Sequence, residues 1–315
     1  MKEIYFLKPL FFEKIWGGTR LEKNFGYHIP EDIDKHKVGE AWGISGHYKG
    51  RNTIINGKYK DMNLDDLWKT HPEIFGEDGS RGDFPLQLRL VDAQDDLSIQ
   101  VHPYEEYAMK HENQHGKNEA WYIIECQPDS KLIYGSNANT KGELKQMVDE
   151  GRWNDLVRYK NIKAGDFVYV PSGIMHAICA GTMVLEIAQC SDVTYRFYDY
   201  DRVDKNGNHR PLHIEKSIDV LTVPTPNVSL NKKVIKYPHS TKEIYLDNEF
   251  FYIAKITVNG AHNIKNDKPF GACCVLNGSG KIMDYEIKKG DFFIVPSDIK
   301  TMNIEGNLEM IIACA

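Results

Sequence analysis

Short apolar runs separated by polar turns occur along most of the chain, and this pattern is typical of β-strands rather than of long helices. Val, Ile, Tyr and Phe cluster in pieces of strand length, and Gly, Asp, Asn and Pro lie between the pieces. We predict strands at residues 122–124, 167–170, 183–187 and 292–295.

Three segments have the spacing or the end signals of helices. Residues 63–69 have an Asn cap and an acidic first turn, and residues 103–111 have Pro at their first position. Residues 140–157 place apolar side chains three and four positions apart, at 144, 147 and 148. The pattern as a whole therefore predicts an all-β protein with small α-helical insertions.

A nine-residue segment occurs twice. Residues 164–172 read AGDFVYVPS, and residues 289–297 read KGDFFIVPS. Coincidence is the alternative, because Gly-Asp turns are common, but a repeat of this length indicates two related β-barrels. Two prolines between residues 222 and 227 disfavour regular structure there. We therefore predict two domains, residues 1–225 and residues 226–315.

Composition and charge argue against several classes of binding partner. The formal net charge of the 315-residue chain is -6, with no basic stripe, which argues against nucleic acid and against an anionic membrane surface. No apolar run approaches the length of a membrane span, and the N-terminus is too polar for a signal peptide. The six cysteines include no CxxC pair, so we expect reduced thiols in a cytoplasmic protein.

The first candidate metal ligands lie on one short strand. Residues 98–102 alternate polar and apolar side chains, so Ser98, Gln100 and His102 point to the same face. Pro103 ends the strand directly after the histidine. Gln100 and His102 can offer an oxygen and a nitrogen to one ion, and a solvated outer face is the alternative.

Two further side chains extend this set. Glu119 opens an aromatic and apolar strand, where a buried carboxylate needs a cation or good hydrogen bonds. Gly165, Pro171, Gly173 and His176 fit the pattern G-x5-P-x-G-x2-H. The glycine turn starts a strand, and the Pro and Gly then bend the chain so that His176 points inward from the next strand.

The pattern that ends at His176 resembles the second conserved motif of the cupin superfamily, whose histidine is a metal ligand. The first cupin motif is altered, because Gln100-x-His102 replaces its His-x-His and Glu119 follows only after a helical insert. The strings LSIQVHP, KNEAWY, SDVTYR, GEAW and WGG are similar to those of type I mannose-6-phosphate isomerases. The resemblance extends to about Asp201 and is to the short bacterial form, which implies a bicupin of two β-barrels.

The resemblance implies one zinc ion per chain, bound by Gln100, His102, Glu119 and His176. Two imidazoles, a carboxylate and an amide oxygen suit zinc and leave a position for substrate or water. The ligand types alone also permit iron, manganese or cobalt. In the second copy of the repeat, Thr301 takes the place of His176, so we expect the C-terminal barrel to be degenerate and to hold no metal.

The resemblance also implies the catalytic groups. Arg196 matches the active-site arginine of the family, and Lys117 matches an active-site lysine that holds phosphate or moves a proton. Glu186 is a candidate for proton transfer, with a structural ion pair to Arg196 as the alternative. Ser98 and Arg89 are candidates for contacting a substrate phosphate, although Arg89 also fits an exposed strand position.

These residues imply the reversible isomerisation of D-mannose 6-phosphate and D-fructose 6-phosphate by enediolate proton transfer, with a small sugar phosphate as partner. Another metal cupin, such as an oxygenase or a different sugar-phosphate isomerase, is one alternative. A non-catalytic sugar-binding cupin that acts as a sensor is another. Acid and base groups beside the ligands favour an enzyme. The sequence leaves the oligomeric state open.

Overall fold

The computed structural model describes residues 2–76, 82–204 and 206–315. Strands form most of the regular structure, and the helices are short, which confirms the predicted all-β class with small helical insertions. The strands are β1 (Tyr5–Leu7), β2 (Leu10–Gly18), β3 (Val38–Ser45), β4 (Leu86–Asp92), β5 (Ile99–Val101), β6 (Glu119–Glu125), β7 (Lys131–Ser136), β8 (Val157–Asn161), β9 (Phe167–Val170), β10 (His176–Ile178), β11 (Met183–Gln189), β12 (Tyr195–Tyr198), β13 (Lys233–Tyr237), β14 (Ser240–Asp247), β15 (Tyr252–Lys265), β16 (Gly271–Ile282), β17 (Tyr285–Lys288), β18 (Phe292–Val295) and β19 (Thr301–Cys314). The helices are α1 (Arg20–Phe25), α2 (Leu64–Thr70), α3 (Glu105–Glu112), α4 (Lys141–Asp149), α5 (Trp153–Leu156) and α6 (Ile214–Val220), with a 3-10 turn at Pro72–Ile74.

Two antiparallel sheets form the N-terminal part of the molecule. The six-stranded sheet has the order β2-β3-β4-β11-β6-β9, and the five-stranded sheet has the order β12-β5-β10-β7-β8. A buried apolar cluster joins them, because Val91 and Trp121 of the first sheet pack with Leu132 and Ile178 of the second. The space between these two sheets is where inward-facing side chains of β5, β6 and β10 meet.

The third sheet is eight-stranded and contains the C-terminal strands. Its order is β1-β18-β16-β19-β15-β14-β13, with β17 paired to β16. The N-terminal strand β1 also belongs to this sheet, since Tyr5 lies opposite Ile294. One large core contains Leu88 from the six-stranded sheet and Phe292 from the eight-stranded sheet. The division into residues 1–225 and 226–315 stays a prediction.

The repeated segments adopt the same turn. Gly165 and Gly290 have φ values of 88° and 90°, a left-handed conformation that a glycine adopts without strain. The carboxylates of Asp166 and Asp291 each accept a hydrogen bond from the backbone N–H three residues earlier, at 3.0 Å and 2.8 Å. The following strands, β9 and β18, are equivalent in sequence and pair with β6 and β16. The repeat is therefore structural as well as sequential.

The predicted helices form with altered ends. Helix α2 starts directly after Asn63, as predicted. Helix α3 starts at Glu105 rather than at Pro103, because the chain stays extended through Tyr104. The predicted helix over 140–157 is divided: α4 ends at Asp149, Gly151 takes a φ of 66°, and α5 follows. A glycine in this conformation ends a helix, and this end signal outweighs the apolar spacing.

The remaining structural expectations concern membranes and thiols. Within the described ranges, the helices are too short and too polar to cross a bilayer. The six cysteines are free thiols, and four of them are buried.

Gly43 on β3 provides a test of the packing between the sheets. A Cβ atom at this position would lie 2.2 Å from the ring of Phe292, so alanine forces the β3 backbone and β18 apart. We expect Gly43→Ala to lower the free energy of unfolding by about 1–3 kcal/mol, measured by urea denaturation.

Gly142→Ala is the matched control, because in α4 the nearest atom to an added Cβ is 3.9 Å away. We expect this substitution to leave stability unchanged or raise it by about 0.5–1 kcal/mol. Equal stability of Gly43→Ala and the wild type would contradict the packing described above.

Candidate active site

Three strands bring the predicted metal ligands together. Within the five-stranded sheet, His176 at the start of β10 lies directly opposite Gln100 on β5. His102 follows β5, and Glu119 opens β6 in the facing sheet. The four predicted ligands therefore meet between the two N-terminal sheets, with Glu119 contributed by the opposite side.

The distances are those of a compact cluster. Nε2 of His102 lies 3.3 Å from Oε2 of Glu119, and Nε2 of His176 lies 3.3 Å from Oε1. One donor atom from each of these three side chains lies within 4.8 Å of the others. The amide end of Gln100 is 3.4 Å from Nε2 of His176. The two histidines and the glutamate are at most 2% exposed.

Backbone carbonyls orient both imidazoles. Nδ1 of His102 lies 2.8 Å from the carbonyl oxygen of Val193, and Nδ1 of His176 lies 2.8 Å from that of Ile174. Donation of Nδ1–H to a carbonyl fixes the tautomer in which Nε2 carries a lone pair. Both lone pairs then face Glu119, as metal ligation requires.

The electrostatics of the cluster also fit a cation. Burial raises the pKa of Glu119, but Lys117, His102 and His176 outweigh burial and hold it well below its usual value. Burial lowers the pKa of His176 to about 3, so its imidazole is neutral. Within the described chain, neither Glu119 oxygen accepts a well-directed hydrogen bond, although Lys117 Nζ lies 2.8 Å from Oε2. An anionic carboxylate and two imidazoles whose Nε2 atoms face it are a suitable donor set for a divalent metal ion.

A buried ion-pair chain extends from this cluster. Nζ of Lys117 lies 3.2 Å from Oε1 of Glu186, and the same oxygen lies 2.8 Å from Nε and 2.6 Å from an Nη atom of Arg89. Arg89 is 8% exposed, so it is not an exposed strand charge. Glu186 is therefore paired with Arg89 and Lys117.

The alternative ion pair between Glu186 and Arg196 is wrong. The two residues are an even number of positions apart, so one continuous strand would place both side chains on the same face. However, β11 and β12 belong to different sheets. The chain passes from one sheet to the other between Gln189 and Tyr195. The alternation of side chains along β11 therefore does not predict the face on which a β12 side chain lies.

Arg196 occupies a different wall of the site. It lies opposite Gln100 in the β12–β5 pair, its Nε donates to Oγ of Ser98 at 3.1 Å, and an Nη atom donates to the carbonyl oxygen of Pro211 at 2.9 Å. In the described ranges no ion pair joins Arg196 to a carboxylate, and Asp199, which acts on it electrostatically, pairs with Arg202 and Arg210 instead. Burial and then the charge of Arg210 lower the pKa of Arg196. The guanidinium is therefore a cation without a direct counter-ion.

Glu40 on β3 is a site residue that the sequence analysis included only within a family string. Its carboxylate accepts a hydrogen bond from Nε1 of Trp42 at 2.8 Å and lies 3.2 Å from Nζ of Lys14 and 3.5 Å from Arg89. Burial raises the pKa of Glu40, but Lys14, Arg89 and Trp42 together lower it below its usual value. The available sequence signal was a carboxylate inside a strand-like apolar run, the same signal that identified Glu186.

A cavity of about 310 Å³ adjoins the ligand cluster. Gln100, Ser98, Arg89 and Glu186 line it, together with Glu40. Its lining also includes three basic residues that the sequence analysis did not identify, and these are Lys14, Arg210 and His213. Their sequence spacing carries no motif, so only the fold identifies them. Burial, followed by the charge of Arg196, lowers the pKa of His213. A larger groove of about 470 Å³ near Trp153 contains none of the predicted site residues.

Two sequence-family models match the chain. Residues 4–147 match the catalytic domain of type I phosphomannose isomerase, and residues 241–315 match the cupin domain of mannose-6-phosphate isomerase. His176, Glu186 and Arg196 lie between these ranges. The second match and the structural likeness described next confirm the predicted cupin fold.

Full-length relatives cover the intervening segment as well. The mannose-6-phosphate isomerase ManA of Bacillus subtilis is 42% identical over 99% of this chain and 98% of its own. The mannose-6-phosphate isomerase of Streptococcus mutans is also 42% identical, with the same two coverages. The crystal structure of the Bacillus subtilis mannose 6-phosphate isomerase superposes with a TM-score of 0.95 at 42% identity and covers 100% of both chains. A Salmonella typhimurium isomerase at 14% identity and a TM-score of 0.74 supports the fold alone. The chain therefore belongs to the type I phosphomannose isomerase family.

Proposed function

We propose that this isomerase interconverts D-mannose 6-phosphate and D-fructose 6-phosphate, with one zinc ion per chain. The observation that carries the proposal is the buried cluster of His102, Glu119 and His176 beside a cavity that also contains a carboxylate and unpaired positive charge. A metal ion held by that cluster would supply the electrophile, and the cavity offers the proton-transfer and anion-binding groups that a sugar-phosphate isomerase needs. The six free cysteines support the cytoplasmic location expected from the sequence.

The metal proposal depends on the donor set. Gln100, His102, Glu119 and His176 would hold zinc, with a position left for substrate. A zinc ion bound there supplies Lewis-acid polarisation of a sugar oxygen. The C-terminal copy of the repeat does not offer a second site, because Thr301 stands where His176 would be and its side chain is exposed. This comparison supports one zinc ion per chain.

Glu186 has the geometry expected of the proton-transfer group. The three cationic contacts from Arg89 and Lys117 all go to its Oε1. Glu186 also lines the cavity, so we assign proton transfer between carbons 1 and 2 of the sugar to Oε2. Lys117 is 2% exposed and lies between Glu186 and Glu119. From this position it can donate a proton to Glu186 or accept one from it. The intermediate of this proton transfer is an enediolate.

We assign to Arg196 the stabilisation of the negative charge that develops on the sugar oxygen during the reaction. Its position opposite Gln100 places it on the strand next to a metal ligand, and among the residues that the structure describes no carboxylate forms an ion pair with it. A preformed, partly buried guanidinium stabilises such an oxyanion more than it stabilises the neutral ground state. Arg196 therefore acts in the transition state.

We place the phosphate group of the substrate on the side of the cavity that contains Ser98, Arg210 and His213. Ser98 accepts a hydrogen bond from Arg196, so its own hydroxyl hydrogen remains for a phosphate oxygen. Arg210 and His213 line the same cavity. Arg89 was the other candidate, but all three of its guanidinium nitrogens contact Glu186 or Glu40. Arg210 has Nε and one Nη atom on Asp199, which leaves its other Nη atom for the phosphate, so we place the phosphate at Ser98, Arg210 and His213.

The two rival functions differ from this proposal in what they require. A sugar-binding sensor has no need of a proton-transfer carboxylate, whereas Glu186 and Lys117 form a buried acid–base pair beside the cavity. An oxygenase needs a redox-active metal, and the same donor types also permit iron. Turnover of mannose 6-phosphate with zinc separates the three functions.

The metal assignment predicts the effect of removing one ligand. We expect elemental analysis of the purified wild type to give one tightly bound zinc per chain, and His176→Ala to lose most of it, because the site then lacks one of two imidazoles. Thr301→Ala, at the equivalent position of the other copy, should retain the full zinc content. Two tight metal sites in the wild type would contradict the degenerate second copy.

The assignment of Arg196 predicts a catalytic defect without metal loss. We expect Arg196→Ala to lower kcat by about a hundredfold or more, because a charge that stabilises the transition state is removed. Arg196→Lys should restore little activity, because lysine lacks the planar fork. Arg158→Ala, an exposed arginine on β8, is the control and should keep normal kcat. Loss of zinc from Arg196→Ala with unchanged activity per bound metal would show that Arg196 is structural.

The enediolate mechanism predicts exchange with solvent. In deuterated water the zinc enzyme should convert mannose 6-phosphate and place solvent deuterium on carbon 1 of fructose 6-phosphate or carbon 2 of mannose 6-phosphate. Chelation should abolish turnover, and zinc should restore it.

The same experiment also tests the alternatives. Absence of solvent deuterium after many reversible cycles would fit either a hydride shift or a shielded base that returns the same proton. Saturable binding of mannose 6-phosphate to zinc-loaded protein without turnover would support the sensor.

A further inference from the structure

Six buried or half-buried side chains of alternating charge form a continuous line from the cavity edge to the metal ligands. Each neighbouring pair has at least one nitrogen–oxygen distance between 2.6 and 3.5 Å. In order, the members are Lys14, Glu40, Arg89, Glu186, Lys117 and Glu119. The last three belong to the mechanism proposed above, and the first three are not yet assigned a role in catalysis.

Glu40 is a fixed point in this line. It is 5% exposed and lies on β3, next to β4 in the six-stranded sheet. The indole N–H of Trp42 donates to its Oε2 at 2.8 Å, and the same oxygen lies 3.5 Å from an Nη atom of Arg89. An anion with both a hydrogen-bond donor and a cation beside it has little freedom to move.

Arg89 connects Glu40 to Glu186 through a rigid group. Its Nε and one Nη atom contact Oε1 of Glu186, while the other Nη atom is the one near Glu40. A guanidinium is planar, so these contacts together fix the rotation of the plane. If the charge of Glu40 is removed, Glu186 remains as the carboxylate in direct contact with Arg89, and the plane can turn toward it.

Movement of Arg89 would reach the proton-transfer group. Arg89 and Lys117 share Oε1 of Glu186, so a stronger pull by Arg89 displaces the carboxylate relative to Lys117. A displacement of well under 1 Å is enough to slow a reaction that depends on the alignment of reacting atoms.

We propose that Glu40 is a positioning residue for the isomerisation, and that it holds Glu186 in its reactive place through Arg89. This inference rests on the proposed function, because it needs Glu186 to transfer a proton. The charge and the fixed position of Glu40 hold the Arg89 guanidinium in place, and Arg89 in turn holds the Glu186 carboxylate.

The test compares two isosteric substitutions of buried carboxylates. Glu40→Gln removes the charge and keeps an oxygen for Trp42. Asp92→Asn is the matched control, because Asp92 is also buried, lies on β4 like Arg89 and accepts hydrogen bonds from Arg20 at 2.7 Å. Each variant is assayed with zinc for kcat, KM for mannose 6-phosphate, metal content and unfolding midpoint.

We expect Glu40→Gln to lower kcat about tenfold with unchanged KM and zinc content, because alignment is lost while binding groups remain. Asp92→Asn should lose stability but keep its kcat. An unchanged kcat in Glu40→Gln would overturn the inference, as would a rise in KM without a fall in kcat, which indicates substrate contact. An equal fall of kcat in both variants would also overturn it, because the effect would then be general destabilisation.

A second variant tests the same role if Glu40→Gln does not fold. Trp42→Phe removes the N–H that fixes the Glu40 carboxylate, together with part of the buried ring beside Arg89 and Phe12, and should lower kcat about threefold at constant KM. A folded Trp42→Phe protein with wild-type kcat would overturn the inference. Failure of the wild-type zinc enzyme to turn over mannose 6-phosphate is a separate result, which would refute the proposed function itself.

Discussion

The burial of the Glu119 carboxylate is the constraint on which the rest of the site depends. A carboxylate that is 1% exposed is costly unless positive charge or strong hydrogen bonds surround it. Two imidazoles and Lys117 approach it, and a divalent metal ion would complete the compensation. Lys117 is itself buried between Glu119 and a second anion, Glu186, and Glu186 in turn pairs with Arg89. Each buried charge of this line therefore has a neighbour of opposite sign.

The fold supplies the rigidity that such a line of charges needs. Three of the four ligands lie on strands and His102 directly follows one, so sheet hydrogen bonds fix their positions, and the carbonyl groups of Val193 and Ile174 hold the two imidazoles. The eight-stranded sheet has a different part in the molecule. It repeats the Gly-Asp turn of the first copy but has Thr301 in place of the histidine, and its apolar face packs into the large common core. This apolar face therefore contributes to packing.

Agreement between prediction and structure was best where local geometry decides the outcome. Strand alternation placed Gln100 and His102 on one face, and the turn before β9 identified His176, because both depend on the backbone within a few residues. The same reasoning overextended the helix beyond α4, where Gly151 ends it, and paired Glu186 with Arg196 across a change of sheet. Side chains two positions apart share a face only as long as the strand continues without a break.

The sequence by itself determined the β-rich class, the internal repeat, the candidate metal ligands and the resemblance that named the family, since each depends on local spacing or on short strings. Only the tertiary structure decided that Glu186 pairs with Arg89, that Glu40 stands behind Arg89, and that Arg210 and His213 share the cavity. It also decided that β1 joins the C-terminal sheet. These contacts join residues that are distant in sequence, and they depend on which strands are neighbours and in what register, which local pattern does not specify.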